Sequence, residues 1–132
     1  MARARGEGSR RISPMTPAAR SVNVFGYYLL ALSVALLVAP NVLLASFGLP
    51  STSEVWIRVV GMLVAFLGLY YQVAAAAELT PIFRMSVLAR LSVPLFFLVF
   101  VLAGWVAWPL VLFGVVDAAG AAWTWAALRG AR

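Results

Sequence analysis

The feature that most constrains this chain is the length of its segments without charge. Residues 21–53 carry no charged side chain, and neither do residues 59–77 and 91–116. A helix that crosses the hydrocarbon core of a bilayer needs about 20 apolar residues. Hydrophobic residues make up 64% of the chain, whereas soluble domains have about 45–50%. Because a soluble chain of 132 residues could not bury so much apolar surface, the sequence predicts an integral membrane protein.

The uncharged segments predict an all-α fold, an integral membrane four-helix bundle in residues 21–132. We expect the helices at about residues 22–44, 55–78, 84–104 and 108–128. The long segment before Asp117 is divided at residues 104–109, because residues 118–128 alone are too short to cross a membrane. Pro40 is expected to kink or end the first helix, Ser53 to cap the second, and Pro81 to lie in a turn before the third.

Arginine is distributed unevenly along the chain. Residues 1–20 carry five arginines, one glutamate and two prolines, and they predict a disordered basic tail lying on the lipid bilayer. A nucleic acid is not an expected partner, because no aromatic residues interleave with the arginines. Four helices put both termini on one side of the membrane, and every arginine except Arg58 falls on that side. The positive-inside rule therefore predicts cytoplasmic termini and a multi-pass protein of the bacterial inner (plasma) membrane.

Several side chains that carry out chemistry are missing from the composition. The chain has no cysteine and no histidine, and all ten of its basic residues are arginines. Disulfides, thiolate or histidine metal sites, histidine bases and lysine Schiff bases are thereby excluded. The carboxylates of Glu78 and Asp117 are expected at different depths, which argues against paired acid–base catalysis. We therefore expect no enzymatic activity, no cofactor and no metal.

Small and polar residues recur on one face of two predicted helices. On the second helix they follow a spacing of three and four: Arg58, Gly61, Ala65, Gly68, Gln72 and Ala75. The fourth helix repeats the pattern with Gly114, Asp117, Gly120, Ala121 and Thr124. Small residues let helix backbones approach closely in lipid. Both faces are expected to point into the bundle, although the first could equally serve a homo-oligomer or a membrane partner.

Asp117 lies near the middle of the fourth helix, where a carboxylate costs about 2.5–3.5 kcal/mol on insertion scales. Three interpretations remain open. Asp117 could pair with Arg90, although helical side chains lean toward their own N-terminus and would lean apart here. It could be protonated and donate to Ser33 or Ser92. It could also bind a proton, an ion or a ligand in a cavity, with Arg90 and three residues of the second helix around it: Tyr70, Tyr71 and Gln72.

Arg58 is the remaining candidate for a ligand or ion site. Its predicted position near the outer interface equally suits a side chain that extends to the lipid headgroups.

These features together resemble a known family. The segments "WIRVVGMLVAFLGLYYQVAAAAELTP", "VLARLSV" and "GVVDAAGAAWTWAALR" are similar to those of the BphX-like group of small bacterial four-helix membrane proteins. The resemblance covers about residues 22–129, and its marks fall on Arg58, Gly61, Tyr70 or Tyr71, Arg90 and Asp117. It implies the four-helix membrane fold. It implies no established activity, but the genomic setting of some members suggests small hydrophobic ligands.

Two classes of function are expected. The first is a non-enzymatic scaffold, an accessory subunit or a binder of a small hydrophobic ligand. The alternative is a small transporter or channel, coupled to protons through Asp117. Small multidrug exporters carry a glutamate in their first helix, and here that helix has no charge, which favours the first class.

Overall fold

The computed structural model describes residues 13–131, and its regular structure in that range is helical throughout. It contains five helices: α1 (Pro17–Val38), α2 (Pro40–Ser46), α3 (Trp56–Ala76), α4 (Thr80–Leu102) and α5 (Leu110–Gly130). The four long helices have 21 to 23 residues and are apolar enough to cross a membrane. At 1.5 Å per residue they are about 32–35 Å long, close to the hydrocarbon thickness of a bilayer. The expected bundle of long apolar helices is thus confirmed.

Helix α1 begins within the segment predicted to be a disordered tail. Thr16 is its N-cap, and the Thr16 hydroxyl accepts a hydrogen bond of 3.2 Å from the amide of Ala19. Pro17 follows at the first helical position, where its fixed backbone angle favours the helix and no amide is needed. Residues 17–20 are therefore helical, contrary to the prediction. The rest of the predicted basic tail, residues 1–12, lies outside the described residues.

The predicted first helix is divided into α1 and α2 at Ala39. Pro40 has no amide hydrogen and disfavours helical angles at the residue before it, and Ala39 has φ −138° and ψ 60°. The short α2 then starts at Pro40. The loop that follows is fixed by Asn41, whose amide donates to the carbonyl of Thr52 at 3.1 Å and accepts from its N–H at 2.9 Å.

The start of α3 differs from the prediction that Ser53 caps it. The N-cap position is occupied by Val55, without a side-chain cap. The nearest capping interaction is in the loop, where the hydroxyl of Thr52 accepts from the amide of Glu54 at 3.1 Å. The Asn41 contacts hold Thr52 in place, but Glu54 precedes α3, so neither Ser53 nor Thr52 caps this helix.

The connection between α3 and α4 is shorter than predicted. Leu79 donates to the carbonyl of Ala74 and Glu78 to that of Ala75, which is the hydrogen-bond pattern of a Schellman motif. Glu78 takes the left-handed position of this motif, with φ 52°, where glycine is usual. Pro81 does not lie in a turn but in the first turn of α4, a favourable position for proline.

Helix α1 occupies the centre of the arrangement. It packs along α3 on one side and against α5 on the other, and α4 packs mainly against α5. The two predicted small-residue faces make the close contacts: a Cβ on Gly68 would lie 3.1 Å from the carbonyl oxygen of Gly26, and one on Gly114 would lie 2.7 Å from the Cα of Pro94. Helices α3 and α4 are consecutive but make few contacts with each other.

The outside of the bundle is covered by large apolar side chains. Trp56, Trp105 and Trp108 are exposed at the end that carries α2 and the α4–α5 loop, which we call the loop end. Trp123 and Trp125 are exposed near the other end, where α1 and α4 begin and α3 and α5 end, which we call the terminal end. Tryptophan near both ends of a bundle is typical of the two interfaces of a membrane.

Candidate functional site

A cleft of about 380 Å³ lies inside the bundle, between the α1–α3 pair and the α4–α5 pair. It exists because α3 and α4 do not pack along their length, and α2 contributes to its wall with Leu43 and Leu44. Apart from Tyr28 and Asp117, every lining residue is aliphatic or a phenylalanine. A ligand could therefore find mainly apolar contacts here, with polar contacts at Tyr28 and Asp117.

Asp117 is the only charged residue that lines the cleft. It lies on the inward face of α5 one turn after Gly114, whose contact with Pro94 holds α5 against α4. Both serines considered as its partners donate within their own helices instead: Ser33 to the carbonyl of Leu30 at 2.7 Å, and Ser92 to that of Ala89 at 2.6 Å. The oxygens of both serines remain able to accept, but neither forms a hydrogen bond with Asp117.

Arg90 does not form an ion pair with Asp117, which was the first of the three interpretations. Its Nε donates to the carbonyl of Ser86 at 3.2 Å, and its Nη2 donates to the hydroxyls of Ser86 at 3.1 Å and Thr124 at 2.8 Å. Its Nη1 has no hydrogen-bond partner among residues 13–131. Ser86 lies one turn toward the terminal end, so the arginine leans away from Asp117 as the geometry of helical side chains predicts.

The positive charge of Arg90 is buried, with only 2% of the residue exposed. Its guanidinium lies 4.5 Å from the ring centre of Phe25 and 5.8 Å from that of Tyr71. The negative faces of aromatic rings stabilise a desolvated cation by about 2 kcal/mol in such sites. Gly120 makes room for this arrangement, because a Cβ there would lie 2.6 Å from the Phe25 ring and 3.1 Å from Nη1 of Arg90.

A small polar cluster joins three helices around Arg90. The Thr124 hydroxyl accepts from Arg90, accepts from the Ser21 hydroxyl at 2.9 Å, and donates to the carbonyl of Gly120 at 3.1 Å. Its members Ser21, Ser86, Arg90 and Thr124 are all buried. This cluster does not line the cleft. Its contacts are those of a structural link between α1, α4 and α5.

The other predicted site residues make their contacts outside the cleft. Gln72 donates to the backbone carbonyl of Asn23 at 2.9 Å and joins α3 to α1. Arg58 is at the loop end, where its Nη1 donates to the carbonyl of Leu37 and its charge lies at the C-terminus of α1. Tyr70 is exposed, and Tyr71 is buried against Arg90 and Phe25. None of these four residues lines the cleft beside Asp117.

Tyr28 is the polar residue of the cleft wall that was not predicted from the sequence. It lines the cleft together with Asp117, and its ring packs 5.3 Å from that of Phe25. Its neighbour Tyr27 is exposed. Two adjacent tyrosines on an apolar helix give no signal of which one points inward, because the hydrophobic pattern of α1 changes little around its circumference.

Among residues 13–131 no group of histidine, cysteine, aspartate or glutamate side chains could hold a metal ion. Comparisons of the chain with protein-family models, with curated proteins and with solved structures gave no significant match.

Proposed function

We propose that this chain is a multi-pass membrane protein that binds a small hydrophobic molecule in the cleft, without catalysing a reaction. The observation that carries the proposal is an apolar cleft with one carboxylate at its wall. Its volume of about 380 Å³ lies within the range of about 300–1,000 Å³ typical of small-molecule sites. Asp117 would contact a cationic or hydrogen-bond-donating group of that molecule.

Membrane placement is supported by the surface of the bundle. Four helices have the required length, and their outward faces carry exposed side chains such as Leu63, Phe66, Leu88, Leu95 and Phe96. So much exposed apolar surface would be an aggregation hazard in water. We place the protein in the plasma membrane of a bacterium, as the resemblance to the BphX-like group implies.

The orientation of the termini follows from charge. Arg20, Arg84 and Arg129 are exposed at the terminal end, and at the loop end Arg58 is the sole arginine of residues 13–131. Cytoplasmic ends of membrane helices carry an excess of arginine and lysine. We therefore place the terminal end in the cytoplasm.

The absence of cysteine allows a direct test of this topology. Single variants Ser53→Cys at the loop end and Ala131→Cys at the terminal end would be treated in intact cells with a maleimide that cannot cross membranes. We expect labelling of Ser53→Cys only, and labelling of both variants after the membrane is permeabilised. Labelling of Ala131→Cys alone in intact cells would show that the orientation is the opposite of the one proposed.

Ligand binding in the cleft can be tested with toluene as a small apolar probe. A ligand that binds only the folded state raises the melting temperature, in proportion to the logarithm of its concentration above Kd. We expect toluene to stabilise the purified protein, and Val60→Trp to abolish the effect by filling the cleft, which Val60 lines. Val73→Trp is the matched control, because Val73 is an exposed valine of the same helix that does not line the cleft.

The comparison of the two tryptophan variants shows whether toluene acts in the cleft or on the outer surface. If both tryptophan variants respond to toluene as the wild type does, the probe acts on the exterior or the detergent, and the cleft is not the binding site.

Proton-coupled transport is the second candidate function, because Asp117 lines the cleft and forms no hydrogen bond with residues 13–131. It requires that protons move through Asp117. Proteoliposomes with an imposed pH gradient would show a proton flux that Asp117→Asn removes. A binder gives no such flux in either form.

A further inference from the structure

A second concave surface lies at the terminal end of the bundle, away from the cleft. It is a groove of about 550 Å³ lined by Arg84 of α4 and by Trp125, Leu128 and Arg129 of α5. The guanidinium of Arg129 lies 3.6 Å from the centre of the Trp125 ring. Stacking on an indole face is a favourable position for arginine and leaves its N–H groups free to bind an anion.

Within residues 13–131, no carboxylate pairs with the two arginines of this groove. Glu78, the acidic residue of the same end within residues 13–131, accepts two hydrogen bonds from Thr16 at 2.9 and 2.6 Å. Glu54 and Asp117 lie elsewhere, at the loop end and in the cleft. Arg84 and Arg129 form no hydrogen bond or ion pair with the described part of the chain, so neither guanidinium has an anionic partner within residues 13–131.

The groove combines this charge with apolar surface. Leu128 and the Trp125 ring form its remaining wall, and Trp125 belongs to the tryptophans of the terminal end. A ligand that fits must therefore carry an anionic group next to a hydrophobic part. An anionic lipid has this chemistry, since its phosphate lies at the interface and its acyl chains run along the helices.

We propose that the groove is a binding site for the phosphate headgroup of an anionic phospholipid. Arg84 and Arg129 bind the phosphate oxygens, for which the planar guanidinium is suited, and Trp125 and Leu128 contact the first part of the acyl chains. This site rests on the membrane placement proposed above but is independent of ligand binding in the cleft.

Native mass spectrometry of the full chain in detergent tests the proposal. The protein would be titrated with phosphatidylglycerol and, separately, with phosphatidylcholine of identical acyl chains. We expect a first phosphatidylglycerol to bind at least about fivefold more tightly than phosphatidylcholine, the factor given by about one favourable arginine contact. Equal binding of the two lipids would overturn the proposal.

Three single substitutions locate the site. Arg84→Gln and Arg129→Gln are each expected to weaken the first phosphatidylglycerol about fivefold. Arg20→Gln is the matched control, because Arg20 is an exposed arginine of the same end that does not line the groove, and its effect should stay below twofold. An equal loss of phosphatidylglycerol affinity in all three variants would show that the lipid is attracted diffusely to the basic end, and it would contradict a defined site.

A soluble phosphate compound provides the remaining comparison. Glycerol 3-phosphate carries the phosphate without acyl chains, and we expect it not to displace phosphatidylglycerol at equal concentration. If it competes as well as the lipid does, the groove binds a soluble anion and the lipid proposal is wrong.

Discussion

Nη2 of Arg90 on α4 donates to the hydroxyl of Thr124 on α5 at 2.8 Å, and both residues are buried. The same hydroxyl accepts from Ser21 on α1, so one oxygen joins three helices. A desolvated hydroxyl with three bonded neighbours is difficult to replace, because its removal leaves their polar groups unpaired in a low-dielectric interior.

Thr124→Val is expected to lower the free energy of unfolding by about 1.5–3 kcal/mol, since it keeps the shape of the side chain but removes the acceptor for a charged donor. Unfolding of the purified protein by denaturant in mixed micelles measures the change. Thr80→Val is the control, because Thr80 is exposed at the start of α4, and we expect a change below about 0.5 kcal/mol there. Equal effects of the two substitutions would contradict a special role for Thr124.

Asp117 and Arg90 are expected to act independently on stability. Arg90→Gln should cost about 2–4 kcal/mol, because it breaks buried hydrogen bonds to two helices. Asp117→Asn should change stability by less than about 1 kcal/mol, because the carboxylate lines a cleft and is not bonded to the arginine. A double-mutant cycle measures their coupling, which we expect below about 1 kcal/mol. A coupling of about 2 kcal/mol or more would instead show that the two charges form an ion pair.

The carboxylate should give the cleft a preference for cations. We expect benzylammonium to bind the wild-type protein at least about tenfold more tightly than toluene, because a hydrogen bond to a charged group contributes about 1.5–3 kcal/mol. Asp117→Asn should reduce this preference to below about threefold. Calorimetric titration measures both constants. Glu54→Gln, which removes one carboxylate at the loop end, should leave the preference unchanged, and a loss in this control would point to surface charge.

Close packing of α4 and α5 depends on Gly114. A methyl group there would lie 2.7 Å from the Cα of Pro94, a backbone atom that cannot move away without displacing the helix. Gly114→Ala should therefore lower stability by about 1–3 kcal/mol. Gly130→Ala, near the end of the same helix with no atom within 4 Å of the added carbon, should be neutral or slightly stabilising. Thermal unfolding of the two variants compares them directly.

The Glu78 carboxylate holds the start of α1 against the end of α3 through Thr16. Glu78→Ala should lower the free energy of unfolding by about 1–2 kcal/mol, because it removes two charge-assisted hydrogen bonds beside a helix N-terminus. Glu78→Gly should lower the free energy of unfolding by less than Glu78→Ala does, since glycine adopts the left-handed angle of this position without strain. Glu54→Ala is the control for the loss of an exposed glutamate. Equal unfolding energies for Glu78→Ala and the control would rule out this contact as a source of stability.

The long helices could be predicted because a bilayer imposes a minimum length on every uncharged segment that crosses it. Which faces of α3 and α5 point inward could be predicted from the spacing of small residues such as Gly68 and Gly114. Helix starts at proline were predicted less well than the helix end at Pro40: Pro17 and Pro81 begin helices, whereas the sequence predicted a tail and a turn there. Their helix-starting role depends on the residues before them, Thr16 and Leu79, which fix the entry of the chain.

The order of helices around the bundle could not be predicted. Apolar side chains attract each other without direction, so no pattern in the sequence states that α1 lies between α3 and α5. The lean of Arg90 toward the terminal end followed from helix geometry, but its acceptors Ser86 and Thr124 depend on that order. The same is true of the cleft beside Asp117, which exists because two consecutive helices remain apart.

The separation of α3 from α4 also affects how the chain can be assembled. The helices form two antiparallel units, α1 with α3 and α4 with α5, and the main contact between the units is that of α1 with α5. Since α5 is synthesised after the other helices, the interface between the units forms last during translation. A chain divided at the α3–α4 connection and produced as two polypeptides should therefore reassemble in the bilayer, each half already holding its own packed pair.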